Sequence, residues 1–153
     1  MNTPPSPDPS CSGSAMGLLI RQVRDGLWAR LEHELTRSGH DLTFSQFVTL
    51  KKLANGMASV TDLARAAELN PGAMTRLLDK LEARGLLVRV ADPADRRALH
   101  IHLTDEGRRI WSEVDQCGQR VRKAALAGFD DAETQQFIRM LERTRDNLSN
   151  PET

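Results

Sequence analysis

Basic side chains between residues 65 and 97 are the groups in this sequence best suited to do chemistry. This stretch holds seven lysines and arginines against five acidic residues, whereas residues 111–153 hold six against eight. Arginine suits the narrow, negatively charged minor groove of DNA. The whole chain carries 21 basic and 21 acidic residues, and a net charge of zero disfavours a nonspecific, histone-like binder. The pattern therefore indicates a localised nucleic-acid interface.

The motifs of common enzyme sites are missing from the sequence. It contains no G-x-G-x-x-G or G-x-x-x-x-G-K-[ST] phosphate loop, no H-E-x-x-H zinc motif and no C-x-x-C pair. With 153 residues the chain has the length of one domain. We therefore predict a protein that is not an enzyme and that uses no cofactor or metal.

Two helix-start signals place a helix-turn-helix motif under the basic residues. Residues 59–62 (SVTD) have the form of a capping box, and Asn70-Pro71 is a second start signal shortly after it. The second helix ends at Gly85. Two helices joined by so tight a turn form a helix-turn-helix. The predicted buried stripe of the second helix contains Met74, Leu77, Leu78 and Leu81.

The hydrophobic period then changes from that of a helix to that of a strand. Residues 86–90 are short and β-compatible, and residues 99–103 alternate strictly between apolar and polar. The polar, turn-rich residues 91–98 between them predict a β-hairpin with a long exposed tip. A helix-turn-helix followed directly by a hairpin is a winged helix.

Long helices are predicted on both sides of this motif. Apolar residues at four-residue spacing predict a helix over 15–38, Thr43 begins a second, and Thr104 and Asp130 begin two more near the C-terminus. The predicted fold is mainly α-helical with a small β-hairpin: a winged helix-turn-helix flanked by long N- and C-terminal helices.

The domain limits follow from these elements. One unit is expected over residues 15–153, with the winged helix-turn-helix over 43–110 and the terminal helices over 15–40 and 111–148. Residues 1–14 hold four of the seven prolines and little that can be buried, so we expect a disordered tail.

The second helix of such a motif enters the major groove, and the hairpin tip lies along the backbone or in the adjacent minor groove. Thr75 and Arg76 are expected to face away from the apolar stripe. The N-terminus of that helix offers free N–H groups to a phosphate, and Asp95 is expected to orient neighbouring side chains by a charged hydrogen bond. The candidate DNA-contacting residues are Ser59, Thr61, Asn70, Gly72, Ala73, Thr75, Arg76, Lys80, Asp95, Arg96 and Arg97.

The run from Val60 to Leu103, followed by TDEGRRI, resembles the MarR family of bacterial transcriptional regulators. The resemblance rests on LARA, MTRLLDKLEARGL, DPADRR and LTDEG in this order and spacing, with TFSQF at residues 43–47. It covers residues 43–110 closely and the terminal helices loosely. It implies a cytoplasmic, bacterial homodimer, nucleoid-associated when bound to DNA, that represses or less often activates promoters at a pseudo-palindromic site.

The resemblance also implies dimerisation through the terminal helices and a small-molecule effector. The effector is often phenolic, or lipophilic and anionic, and binds between the dimerisation helices and the winged helix. Trp28, His33 and Phe47 are the candidate effector contacts, although a core position is the commoner outcome for Trp28 and still more so for Phe47. The candidate dimer contacts, each also compatible with the core of its own chain, are Leu19, Leu27, Val121, Phe137, Leu141 and Leu148.

Three alternatives remain open from the residues alone. Cys11 precedes the first helix and is a candidate redox-sensing thiol, whereas Cys117 is expected to be a small buried hydrophobe. His100 and His102 share one strand face, but two imidazoles do not make a metal site. A winged helix that binds proteins and never contacts DNA is the third. No membrane partner is expected, because the longest apolar runs fall far short of the ~18 residues needed to span a bilayer.

Overall fold

The computed structural model describes residues 13–150, with side chains from residue 15 onward. Six helices and three strands lie in this part of the chain. The helices are α1 (Gly13–Arg37), α2 (Phe44–Ala54), α3 (Val60–Ala66), α4 (Pro71–Ala83), α5 (Asp105–Ala125) and α6 (Asp131–Ser149). The strands are β1 (Ala58–Ser59), β2 (Leu87–Ala91) and β3 (Leu99–Leu103). The predicted mainly helical, winged helix-turn-helix fold is confirmed.

Helix α1 begins earlier than the sequence predicts. It already contains Gly13 and Ser14, so these two residues do not belong to a tail. The rest of the predicted tail, including Cys11, lies outside the described residues.

The other helices begin at the caps that the sequence predicts. Thr43, Ser59 and Asp130 form capping boxes at the starts of α2, α3 and α6. Asn70 and Thr104 each accept one backbone N–H bond at the starts of α4 and α5. These bonds satisfy amides that have no partner inside the helix, so local sequence alone sets where the helices start.

The sheet has one strand more than the predicted hairpin. Strands β2 and β3 pair antiparallel from Leu87–Leu103 to Ala91–Leu99, and the short β1 adds to the other edge of β3. Two residues are too few to show a strand period, and Ser59 also has the signature of a helix cap. For this reason β1 was not predicted.

A single apolar core joins the helix-turn-helix to the sheet and to the long helices. Helix α3 packs on α4, α4 on β2, and both α1 and α2 on α5. The side chains with less than 2% of their surface exposed include Leu35, Leu50, Leu63, Met74, Leu78, Leu81, Leu87, Ile101, Val114 and Cys117. The predicted stripe of α4 is buried as a whole.

An ion pair ties α1 to α5 beside this core. The Glu34 carboxylate is nearly buried and accepts hydrogen bonds from Arg120 Nε at 2.8 Å and from Arg37 Nη1 at 3.2 Å. The bond from Arg120 is the main reason that the pKa of Glu34 lies below its usual value of 4.5, and Arg37 adds to it. The same bond raises the pKa of Arg120. The buried Cys117 lies next to this pair, with its Sγ 3.3 Å from Arg120 Nη2.

The outer parts of the long helices leave apolar side chains uncovered. Residues 15–30 of α1 and all of α6 contain no buried residue. Large exposed apolar residues on these segments are Met16, Leu18, Leu19, Ile20, Val23, Leu27, Ile138, Met140, Leu141 and Leu148. None of the helices in residues 13–150 is long and apolar enough to cross a membrane.

Two of the candidate dimer contacts have partners within the chain. Val121 is only 6% exposed and belongs to the chain's own core, so its side chain is not on a surface open to a second copy. Phe137 is half-buried and stacks edge-on against Phe129, with ring centroids 5.9 Å apart.

Gly107 marks the closest backbone approach among the described glycines. A Cβ at this position would lie 1.9 Å from the backbone carbonyl oxygen of Leu86. The neighbouring Thr104 binds the same segment, since its hydroxyl donates to Gly85 O at 2.5 Å and its N–H to Leu86 O at 3.1 Å. The first turn of α5 is therefore fixed against the chain that leaves α4.

Candidate nucleic-acid interface

Helix α4 presents three faces around its axis. At 100° per residue its side chains fall into three stripes. The buried stripe contains Met74, Leu77, Leu78 and Leu81. The stripe beside strand β2 contains Thr75, Asp79 and Glu82. The third stripe, directed away from the core, contains Gly72, Ala73, Arg76 and Lys80. Of the last set all but the half-buried Ala73 are exposed.

The cations of the third stripe are not neutralised by their own chain. Arg76 and Lys80 form no ion pair with any other residue in 13–150. They are four residues apart and therefore lie one above the other on the helix surface. Their charges remain available to a partner.

The N-terminus of α4 is partly closed by its own cap. The Asn70 side chain accepts the Ala73 N–H at 2.8 Å, and Pro71 has no N–H to offer. The Thr75 hydroxyl donates to Pro71 O at 3.0 Å. Among residues 71–73, the Gly72 amide is thus the one that the cap leaves for an anion.

The start of α3 is capped in a similar way. The Ser59 hydroxyl accepts the Asp62 N–H at 3.1 Å, while Thr61 is exposed. The hydrogen bonds from Ser59 lower the pKa of Asp62. The Ser59 side chain is therefore a cap first, and its half-buried position limits any further contact.

The wing tip is built from aspartate-centred turns. Asp92 accepts the Ala94 N–H at 2.8 Å and contacts His100 Nε2 at 2.8 Å, and this hydrogen bond lowers its pKa. Asp95 accepts the Arg97 backbone N–H at 3.0 Å. The Asp95 carboxylate thus orders the backbone that carries the two arginines. Its hydrogen bond comes from the backbone amide of Arg97 and not from a guanidinium group. Within residues 13–150, neither Arg96 nor Arg97 has an acidic partner.

The seven basic residues counted between 65 and 97 divide into two groups. Arg65 lies 3.8 Å from Asp62, and Arg84 donates to the Asp41 carbonyl at 3.0 Å. Arg89 is paired with acidic residues of α4. The cations left with neither an acidic partner nor a side-chain hydrogen bond in the described part of the chain are Arg76, Lys80, Arg96 and Arg97.

The contacts of Arg89 are not predicted from the sequence. Its side chain is 19% exposed and lies between β2 and α4, whereas the neighbouring Val88 and Val90 are more than 40% exposed. A charged residue on the inner face of a strand, between two apolar residues on the outer face, inverts the usual pattern. That inversion was visible in the sequence as VRV after Leu87.

Two of the candidate effector contacts belong to the aromatic cluster Trp28, Phe44, Phe47 and Trp111, whose two ring pairs join α1 to α2 and α2 to α5. Trp28 stacks edge-on against Phe44 with centroids 5.0 Å apart, and Phe47 stacks on Trp111 at 5.5 Å. Trp28 and Phe47 also pack against the core. His33 is exposed on α1 and takes part in neither ring pair.

The histidines and the second cysteine behave as ordinary parts of the fold. Cys117 is fully buried and has no disulfide, as predicted for a small buried hydrophobe. His100 is bound to Asp92, and His102 is half-buried on the same strand. Within residues 13–150, no three His, Cys, Asp or Glu side chains lie close enough together to hold a metal ion.

The fold and this surface define a winged helix-turn-helix protein of the DNA-binding kind. The model of the MarR family matches residues 42–99 of the chain. A MarR family protein from Bacillus stearothermophilus shares 30% identity, with a TM-score of 0.75 over 90% of this chain and 95% of that one. The chain therefore belongs to the MarR family of transcriptional regulators.

Two further solved structures show the same architecture in functional settings. Bordetella bronchiseptica BpsR, described with regulation of its DNA binding by 6-hydroxynicotinic acid, is 27% identical. Its TM-score is 0.75, over 91% of this chain and 99% of that chain. A cysteine-to-serine variant of E. coli MarR in complex with operator DNA is 25% identical, with a TM-score of 0.72 over 85% and 93% of the two chains.

Proposed function

We propose that the protein is a transcriptional repressor that binds a pseudo-palindromic promoter site as a homodimer and is released by a small aromatic or lipophilic ligand. The observation that carries the proposal is the division of its basic residues. Those that hold the fold together are bonded within the chain, whereas those on the exposed stripe of α4 and at the wing tip have no side-chain partner among residues 13–150. Uncompensated cations on these two elements match the negative charge of a duplex.

Each element has a distinct role in this proposal. Arg76 and Lys80 enter the major groove on α4 and contact base edges or phosphates. The Gly72 amide and the Thr61 and Thr75 hydroxyls contact the backbone, which fixes the register of the protein on DNA. Arg96 and Arg97 at the wing tip contact the adjacent minor groove.

A homodimer accounts for the uncovered apolar surface. Leu19 and Leu27 on α1, and Leu141 and Leu148 on α6, are exposed in the single chain. Apolar surface of this extent on long amphipathic helices marks an association site. A second copy would bury it and place two α4 helices about one DNA turn apart, ~34 Å.

The aromatic cluster supports the effector part of the proposal. The ring pairs of Trp28 and Phe47 join α1 and α5 to α2 of the winged helix-turn-helix. A ligand bound among these rings would therefore shift the terminal helices relative to the winged helix. BpsR is regulated by an aromatic acid. We therefore place the effector of this chain in the same chemical class.

The proposal is tested by selecting DNA with the purified protein from a pool of random duplexes. Binding to the enriched duplex is then measured by fluorescence anisotropy over a salt series. Arg76→Ala is expected to cost ~1–3 kcal/mol and to relax sequence preference, and Arg97→Ala to weaken binding and flatten the salt slope by about one unit. Arg143→Ala, an exposed position on α6, is the charge-matched control.

Two outcomes would contradict parts of this proposal. If no sequence is enriched, or if Arg76→Ala and Arg97→Ala bind like the parent, the winged helix does not contact DNA and a protein-binding module becomes the better explanation. Adding salicylate to the complex is expected to lower the anisotropy. A complex that resists a panel of aromatic acids but dissociates with peroxide would place the switch at Cys11 instead.

A further inference from the structure

The side chain of Arg89 makes more hydrogen bonds to α4 than any other described wing residue. Its Nη2 donates to Asp79 Oδ1 at 2.7 Å and to the Thr75 carbonyl oxygen at 3.4 Å, and its Nη1 donates to Glu82. Thr75, Asp79 and Glu82 form the whole stripe of α4 beside β2. One guanidinium group therefore spans about two turns of the helix.

These contacts restrict two movements of α4 relative to β2: translation along the strand and rotation about the helix axis. A bond to a backbone carbonyl limits sliding of the helix along β2, and bonds to carboxylates four and seven residues further on limit rotation about its axis. Thr75, one end of the bridge, is the direct neighbour of Arg76. The adjacent stripe of the helix, about 100° around its axis, carries the free cations Arg76 and Lys80.

We propose that Arg89 is a positioning residue for sequence-specific DNA binding: its bridge to Thr75, Asp79 and Glu82 holds α4 in the orientation in which Arg76 and Lys80 meet base edges. This inference rests on the proposed function. Base contacts need a defined rotation of the helix, whereas attraction to the phosphate backbone tolerates small shifts. Loss of the bridge should therefore reduce sequence preference more than general DNA affinity.

The matched test is Arg89→Lys, which keeps the charge and removes the planar fork. A lysine ammonium is a compact point charge that cannot span the three acceptors as a guanidinium group does. Anisotropy is measured with the enriched duplex and with a scrambled duplex of equal length. We expect about a tenfold loss of affinity for the enriched duplex and less than about a twofold change for the scrambled one.

Two further variants separate positioning from other effects. Arg65→Lys makes the same substitution on α3 at a single, exposed ion pair and should leave both affinities unchanged. Arg89→Gln removes the charge as well as the fork and should weaken binding to both duplexes, with the larger loss on the enriched one. Thermal melts followed by circular dichroism show that each variant is folded under the binding conditions.

The outcomes are distinguishable. If Arg89→Lys binds the enriched duplex as the parent does, Arg89 acts only as a charge and the inference is overturned. Equal proportional losses on both duplexes would also overturn it. If the parent itself does not distinguish the two duplexes, the proposed function has failed instead.

Discussion

Gly107 shows how a single residue can determine the junction between the winged helix and α5. Because Gly107 has no side chain, the first turn of α5 can approach the Leu86 carbonyl closely. A Cβ at position 107 would lie 1.9 Å from the Leu86 carbonyl oxygen. Because the obstructing atom belongs to the backbone, rotation of a side chain cannot relieve the contact. The LTDEG segment thus combines a cap at Thr104 with a close approach at Gly107.

Gly107→Ala is therefore expected to lower the free energy of unfolding by about 1–3 kcal/mol, the cost of overpacking, despite the better helix propensity of alanine. The matched control is Gly118→Ala on the same helix, where a new Cβ would meet only Phe47 Cζ at 3.9 Å. This control should be neutral or gain about 0.5–1 kcal/mol. Urea unfolding of both variants measures the difference; equal stabilities would contradict the steric argument.

At the level of elements, α1 and α5 are held together by charge as well as by apolar contact. Glu34 belongs to α1 and Arg120 to α5, so their ion pair joins segments that are 86 residues apart in sequence. Glu34 lies almost entirely inside the structure, where removing Arg120 would leave its charge to the longer contact with Arg37 alone. This pair therefore supports the packing of the two helices with a largely buried polar contact.

The lowered pKa of Glu34 predicts how this contact depends on pH. The ion pair contributes its full stability above the usual pKa of 4.5 and loses it as the pH falls through the lower pKa of the folded state. Glu34→Gln should thus melt at a lower temperature than the parent at pH 7, and the difference should shrink below pH 4.5. Melting curves between pH 7 and pH 3 measure it.

The control for this prediction is an exposed carboxylate on the same helix. Glu32→Gln should change the melting temperature little at either end of the pH range, because Glu32 is exposed and forms no ion pair within residues 13–150. A difference between Glu34→Gln and the parent that stays constant from pH 7 to pH 3 would show that the ion pair is not responsible.

On the scale of the whole molecule, the single chain consists of a packed core and a frame. The frame is residues 15–30 of α1 together with α6, whose apolar side chains are largely exposed. The winged helix-turn-helix contains most of the buried apolar residues, whereas residues 15–30 of α1 and all of α6 contain none. The two parts meet along α5. The proposed homodimer would cover the exposed apolar side chains of the frame and leave the packed core unchanged.

Leu141→Glu is expected to convert the dimer into a monomer, since it places a charge in the apolar stripe of α6. In sedimentation experiments at micromolar concentration, the parent should have twice the chain mass of 17.0 kDa and the variant about that of one chain. Gln135→Glu adds the same charge at an exposed position about 120° around the axis of α6 from Leu141 and should remain dimeric. A parent that sediments as a monomer would contradict the proposed assembly.

Local features of this protein were predictable and long-range ones were not. Thr43, Asn70 and Thr104 cap helices through neighbours three residues away, so their signals are contained in short segments. The Arg89 bridge, by contrast, depends on the register between a strand and a helix. The position of Val121 inside its own chain depends on how α1 and α5 pack, which periodicity alone does not define.

The buried thiol of Cys117 can be used to measure how readily α1 and α5 separate. Its sulfur lies between α1 and α5, 3.4 Å from Ser38 Oγ and without exposed surface. Since the chain has two cysteines, Cys11→Ser leaves a single thiol. A labelling reagent reaches it only when the two helices separate, so its reaction rate relative to a free thiol reports the free energy of that local opening. Measured with and without bound DNA, this rate would show whether α1 and α5 separate less readily when the protein is bound to DNA.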